Sequence, residues 1–288
     1  MELFRALGAL CEPPSSAHRR LAHELELPGE PRTDEYAQLF LLQLYPYGSV
    51  YLGGEGKLGG DARASVAGFW RAVGLVPPAE PDHLAALLGL YAALAEQEQI
   101  QTDEARRMLR RQARRALLHE HLLSWTGPYL QKLDELAPPF YRAWGALLRA
   151  ALEAETEELG APSTLPAALR FAPKLESPSV VGGAAFLEQL LAPVRTGLIL
   201  VRDDLVAAGQ ELGLGLRIGE RRFVLEALLG QDAAGTLTWL EERARARAAC
   251  CSDDVVSAFW GGRAAAAAPL LAEAASQTAD QDVALARR

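Results

Sequence analysis

Hydrophobic residues recur along this chain at intervals of three and four. Val66, Phe69, Trp70 and Val73 stand at i, i+3, i+4 and i+7, and so do Leu84, Leu87, Leu88 and Tyr91, with Leu94 continuing the stripe. Trp144, Leu147, Leu148, Ala151 and Leu152 repeat the pattern. A period of 3.6 gathers each set on one face of a helix. Such a face must be buried against a neighbour, and several of them with short connections make a bundle. The period-two alternation of a half-buried strand is almost absent. The pattern therefore predicts an all-α fold.

Punctuation sets the limits of these helices. Asp61, after Gly59-Gly60, is an expected N-cap for the stripe at 66–73. Gly74 ends that stripe, and Pro77-Pro78 prevents its continuation. Pro138-Pro139 opens a further helix, because proline fits a first turn. Gly160, Pro162, Pro166, Pro173, Pro178, Gly182 and Gly183 then break any helical stripe. The expected organisation is a helical bundle over 1–159, a Pro/Gly-rich linker over 160–183 and an accessory helical region over 184–288. Within that region the expected helices are about 184–191, 203–212, 219–229, 232–249, 253–260 and an Ala-rich 263–276.

Composition narrows the chemistry. The 288 residues are 50% hydrophobic and carry a formal net charge of −8. An acidic chain is poorly suited to the phosphate-driven contacts of nucleic-acid binding, and its field attracts cationic partners. Three cysteines, Cys11 and the adjacent Cys250 and Cys251, suit a reducing compartment rather than a disulfide framework. The N-terminal residues lack the apolar run of a signal peptide, and no stretch has the ~18 uncharged apolar residues of a membrane span. These features point to a cytoplasmic protein without membrane insertion.

Several short patterns invite a function. Gly54-Glu55-Gly56-Lys57-Leu58-Gly59 matches G-x-G-x-x-G, yet a dinucleotide site needs a βαβ unit, and helices flank this segment. It reads as a turn before the next helix. His119 and His121 stand two apart, which on a helix directs them differently, so a surface position is expected rather than a metal pair. G-x-S-x-G is missing, and no catalytic residues, cofactor or metal ligands are assigned. Arg106-Arg107, Arg110-Arg111 and Arg114-Arg115 form a basic run, expected as a solvated helix face. The 203–229 segment could form a helix-turn-helix, which leaves a helical DNA-binding regulator as the alternative reading. Residues 181–288 hold 11 Lys+Arg against 14 Asp+Glu, however, a net of −3.

Glu80-Pro81-Asp82-His83 admits two readings from the residues alone. It can simply start a helix, with acidic side chains complementing the dipole. Alternatively, its carboxylates can accept charge-assisted hydrogen bonds from a guanidinium beside an apolar groove.

The order of three segments carries a resemblance. Tyr45-Pro46-Tyr47-Gly48-Ser49-Val50-Tyr51 is followed, after one helix, by Glu80-Pro81-Asp82-His83 and later by Glu120-His121-Leu122-Leu123-Ser124-Trp125. Over roughly residues 36–158 the chain resembles the TorD/DmsD/NarJ family of chaperones that mature molybdenum-containing redox enzymes. The resemblance implies no catalytic turnover. It implies binding to the apo-form of a molybdopterin-dependent oxidoreductase catalytic subunit and to its N-terminal twin-arginine leader peptide. The residues it points to for client binding are Tyr47, Ser49, Tyr51, Trp70, Glu80, Asp82, His83 and Tyr91. Glu80 and Asp82 would meet the cationic end, His83 would orient the loop, and Tyr47, Tyr51, Trp70 and Tyr91 would line the groove. Two departures stand out: Gly48 replaces a frequent acidic residue, and Leu87-Leu88-Gly89-Leu90-Tyr91 lacks the family's usual carboxylate.

Overall fold

In a computed structural model the described residues form helices joined by loops, with no named strand among them. These are residues 1–250 and 254–286, those from 280 onward by helical backbone alone. Cys251 and Asp253, the latter opening the expected helix 253–260, lie outside them. Contacts divide the chain into two units. The first takes Met1–Leu52 and Leu58–Arg170; the second takes Gly53–Lys57 and the chain from Phe171.

The first unit holds α1 (Glu2–Ala9), α2 (Ser16–Glu24), α3 (Thr33–Tyr36), α4 (Gly48–Leu52) and α5 (Gly60–Ala72). It continues with α6 (Leu84–Ile100), α7 (Glu104–Ala116), α8 (Leu123–Leu136), α9 (Pro139–Leu159) and α10 (Ala167–Arg170). Two stretches, Ala37–Gln43 and Leu117–Leu122, are wound as π-helix. The α6 stripe does what its period requires: Leu84, Leu87, Leu88, Tyr91 and Leu94 are all buried. Trp144, Leu148 and Leu152 of α9 are buried as well, and the Trp144 indole donates to the Leu7 carbonyl at 2.9 Å, tying α9 to α1. The α5 stripe is buried only at Val66; Phe69 and Trp70 are half-buried. The N-cap of α5 is Gly59 rather than Asp61, because a glycine at φ 95° turns the chain two residues earlier, and Asp61 falls in the first turn. Pro139 opens α9 as expected.

The second unit holds α11 (Pro178–Val181), α12 (Gly183–Leu190), α13 (Pro193–Thr196), α14 (Arg202–Glu211), α15 (Arg221–Gln231), α16 (Ala233–Ala249) and α17 (Val255–Ala286). Phe186, Leu190, Leu205, Leu225, Leu228, Trp239, Leu240 and Leu271 share its core. The two helices expected over 253–260 and 263–276 are one. Glycine inside a helix costs about 1 kcal/mol each, and burial of Trp260, Ala264, Ala267 and Leu271 outweighs Gly261-Gly262. By length and composition α17 could cross a membrane, with mean hydropathy 1.3 over an 18-residue stretch within Val255–Ala279. Here its apolar face supplies the core of this unit, and the buried Arg263 sits within its length.

Residues 160–183 carry the short α10 and α11 and fall on both sides of the Arg170/Phe171 division. Leu169 is buried in the first unit and Leu175 in the core of the second. The glycine-rich 53–57 segment is a turn held inside the second unit. The Gly54 carbonyl accepts from Arg195 and that of Gly56 from Arg221. Gly56 has φ +62°, and a Cβ there would stand 2.5 Å from the Leu191 carbonyl oxygen. Close backbone packing explains this glycine without any phosphate.

Candidate functional site

The first unit brings together the two segments singled out by the sequence. After the π-helical stretch 37–43 the chain bends at Tyr45–Tyr47 and pairs with residues 82–84. The Gly48 amide donates to the Asp82 carbonyl at 3.0 Å, and the Leu84 amide to the Pro46 carbonyl at 2.8 Å. Tyr47 and His83 thus form an isolated antiparallel bridge.

Asp82 is the pin of this junction. Only 1% exposed, its Oδ2 accepts from the Ser49 amide at 3.0 Å. A carboxylate accepting an amide proton makes a charge-assisted bond. Ser49 is equally buried, and its hydroxyl accepts from the Gly59 amide at 3.1 Å. Asp82 therefore faces the protein's own backbone, while Glu80 stands at the exposed rim. There the Tyr47 hydroxyl donates to Glu80 Oε2 at 2.7 Å. Burial, and next the bond to Glu80, hold the Tyr47 phenol protonated far above its ordinary range.

His83 caps α6. Its Nδ1 accepts from the Ala85 amide at 3.1 Å, so the ring proton resides on Nε2. The ring meets Tyr47 edge-on at 4.7 Å. Burial pushes the His83 pKa down, against the opposing charges of Glu12, Glu80 and Asp82. Trp70, half-buried on α5, donates from its indole to the Pro81 carbonyl at 3.4 Å. The site thus gathers Tyr47, Ser49, Trp70, Glu80, Asp82 and His83.

The remaining two named aromatics lie elsewhere. Tyr51 is in the core beneath the junction, stacked on Trp125 with centroids 5.2 Å apart, and its hydroxyl donates to the Tyr45 carbonyl. Tyr91 lies two turns along α6, fully buried, with its hydroxyl bonded to Glu155 and its ring 4.8 Å from Phe4. Neither ring presents a surface; both support the fold.

Sequence reasoning missed the π-helical stretch 117–122 and what it carries. The notion of His121 on the surface is corrected: burial lowers its pKa to about 4, and Phe69 packs against its ring at 5.1 Å. Its carbonyl accepts from the Trp125 indole at 2.8 Å. Glu120 accepts from the Ala167 amide, and the His119 ring bonds the Gly160 carbonyl. His121 and Glu120 line a small, largely enclosed cavity with Gly48, Leu52, Val66 and Leu87. A π-helical turn inserts one residue into the helical register, which no 3.6 period signals. Gly48 fits its surroundings closely: a Cβ at this buried position would stand 3.1 Å from Trp125 Nε1, so a larger side chain would have to displace the indole.

Depressed histidines give a pH dependence with a definite sign. A histidine held neutral by the fold contributes stability that is complete above its unfolded pKa of about 6.5 and is lost as pH falls below that value. His83, His119 and His121 are all lowered, each first by burial. For His121 the window runs from about 6.5 down to about 4, a loss on the order of 3 kcal/mol when fully traversed. The urea midpoint should fall between pH 7 and pH 5, and His121→Phe should fall less. Equal losses in both proteins would show that His121 is not the sensor.

The arginine run is also corrected in part. Arg114 of α7 turns inward to Glu98 of α6 and Glu155 of α9, and the half-exposed Arg111 also pairs with Glu98. The 203–229 pair is split by residues 212–220, and Arg221 and Arg222, which open α15, bind the Leu200 and Gly56 carbonyls and Glu188 within their unit. Among the described residues no group of three or more His, Cys, Asp or Glu could hold a metal ion.

The fold and junction define an all-helical domain whose notable polar groups brace a loop. The family model described as nitrate reductase delta subunit matches residues 12–131. That segment, less than half of the chain, is thus similar to the nitrate reductase delta subunit family. It spans the junction and all of the named site residues, and leaves residues 1–11 and the chain after residue 131 outside. A search of curated proteins finds no significant match.

Proposed function

We propose that this protein is a cytoplasmic assembly chaperone, without catalytic turnover, that binds the apo-form of a molybdopterin-dependent oxidoreductase and its twin-arginine leader. One observation carries the reading most. The Glu80 carboxylate is exposed and held at the rim by the Tyr47 hydroxyl, beside the half-buried Trp70 indole on the Pro81 carbonyl. A guanidinium of a twin-arginine leader matches such a carboxylate, and the neighbouring aromatic rings suit its apolar residues.

In this reading Glu80 meets the cationic end and Trp70 and Tyr47 flank it. Asp82, Ser49 and His83 act as positioning residues, and Tyr51 and Tyr91 act through the core. The site falls in residues 1–159, with 184–288 adjusting client choice.

Titration calorimetry with a synthetic twin-arginine leader tests the reading. The full chain should bind it, and replacing both arginines by Gln should weaken binding by on the order of tenfold. Equal affinity for both peptides would remove the twin-arginine role.

A further inference from the structure

Helix α7 is amphipathic in the inverse sense. Of its thirteen residues only Arg114 is buried. Its apolar residues Met108 and Leu109 are 55% and 64% exposed, and Ile100, at the end of α6, is 78% exposed. A surface helix ordinarily turns its apolar stripe to the core. This one is held instead by its arginines: Arg114 reaches Glu98, Glu155 and Glu158, and Arg111 reaches Glu98 and Glu158. The fold therefore makes no use of Met108 and Leu109.

The neighbouring cations are also unspent. Arg106, Arg110 and Arg115 make no ion pair with any described residue, although the chain as a whole is net −8. By helical spacing Arg106 lies one turn before Leu109, and Arg115 two turns beyond Met108. The result is a cationic strip with apolar side chains within it, on an otherwise acidic protein.

We propose that this face of α7 docks an acidic segment of a partner protein that carries apolar side chains among its carboxylates. The inference stands independently of leader binding at Glu80. Charge complementarity selects the acidic character, and the exposed Met108, Leu109 and Ile100 select the apolar one; arginine and methionine are enriched in protein interfaces. Nucleic acid fits less well, because α7 has no aromatic residue on which bases could stack. A bilayer fits less well, because Glu104 and Gln112 interrupt the outward face and leave little area to insert.

The test uses the full chain and four probes: a Glu/Leu helical peptide, a Glu/Ser peptide of equal charge, phosphatidylglycerol vesicles and duplex DNA. The Glu/Leu peptide should bind at least about tenfold tighter than the Glu/Ser peptide. Met108→Ser/Leu109→Ser should erase that difference. Arg106→Gln/Arg110→Gln/Arg115→Gln should weaken both peptides and flatten their salt dependence, with circular dichroism unchanged. Equal binding of the two peptides, indifference to the substitutions, or tighter binding of vesicles or DNA would each overturn the proposal.

Discussion

Arg114→Met should lower the unfolding free energy of the first unit by about 3–5 kcal/mol, as loss of one partner from a buried ion cluster does. Arg114 is 3% exposed and stands 3.1 Å from Glu98 and 3.4 Å from Glu155. Both carboxylates are nearly as buried, at 11% side-chain exposure. Glu155 also receives the Tyr91 hydroxyl, and the Arg114 guanidinium lies 5.8 Å from the Tyr91 ring. Desolvating three charges is expensive, and their mutual attraction offsets that cost only while all are present. Without Arg114 two carboxylates stay buried, with only half-exposed Arg111 near Glu98. The substitution keeps the volume and removes the charge. Adding Glu98→Gln and Glu155→Gln should recover part of the loss, because the remaining groups are then neutral. Arg106→Gln on the same helix should change stability by less than about 0.5 kcal/mol, as exposed substitutions do. Guanidinium midpoints for the four proteins decide the matter. A loss below about 1 kcal/mol for Arg114→Met would mean that water reaches the cluster.

The second large effect separates Asp82 from Glu80. Asp82→Ala should destabilise by about 2 kcal/mol, since the buried Ser49 amide loses a charged acceptor and no water replaces it. It should also weaken leader binding, because the Tyr47–Ser49 backbone is then held against residues 82–84 by its backbone pairing alone. Glu80→Gln should leave the unfolding midpoint nearly unchanged, because Glu80 is exposed, yet it should weaken the same peptide. If Asp82→Ala kept full stability and lost only affinity, Asp82 would be a direct contact instead.

Much of this arrangement was legible in the sequence. The α6 stripe and the prolines opening α9 gave the elements, and the order of Tyr47–Tyr51, Asp82-His83 and Trp125 carried the family resemblance. What stayed hidden has physical reasons. Acidic residues near a helix start look alike in sequence, so only the backbone pairing shows Asp82 turned inward and Glu80 outward. Tyr51 and Tyr91 sit at positions that suit a groove or a core equally, and burial decides. An arginine run reads as solvated until carboxylates from other helices, here Glu98, Glu155 and Glu158, are placed against it. The π-helical winding at 117–122 shifts His121 inward with no periodic signal. Gly261-Gly262 looked like a break, yet the packing of α17 carries the helix through.

The proposed contact between the Glu80 carboxylate and a guanidinium of the leader is open to a double-mutant cycle: titration calorimetry of wild type and Glu80→Gln against the twin-arginine leader and against leaders with each arginine changed to Gln. One arginine should couple to Glu80 by about 1 kcal/mol or more, so that its removal matters far less in Glu80→Gln. Strictly additive losses for both arginines, in proteins of equal stability, would rule the contact out.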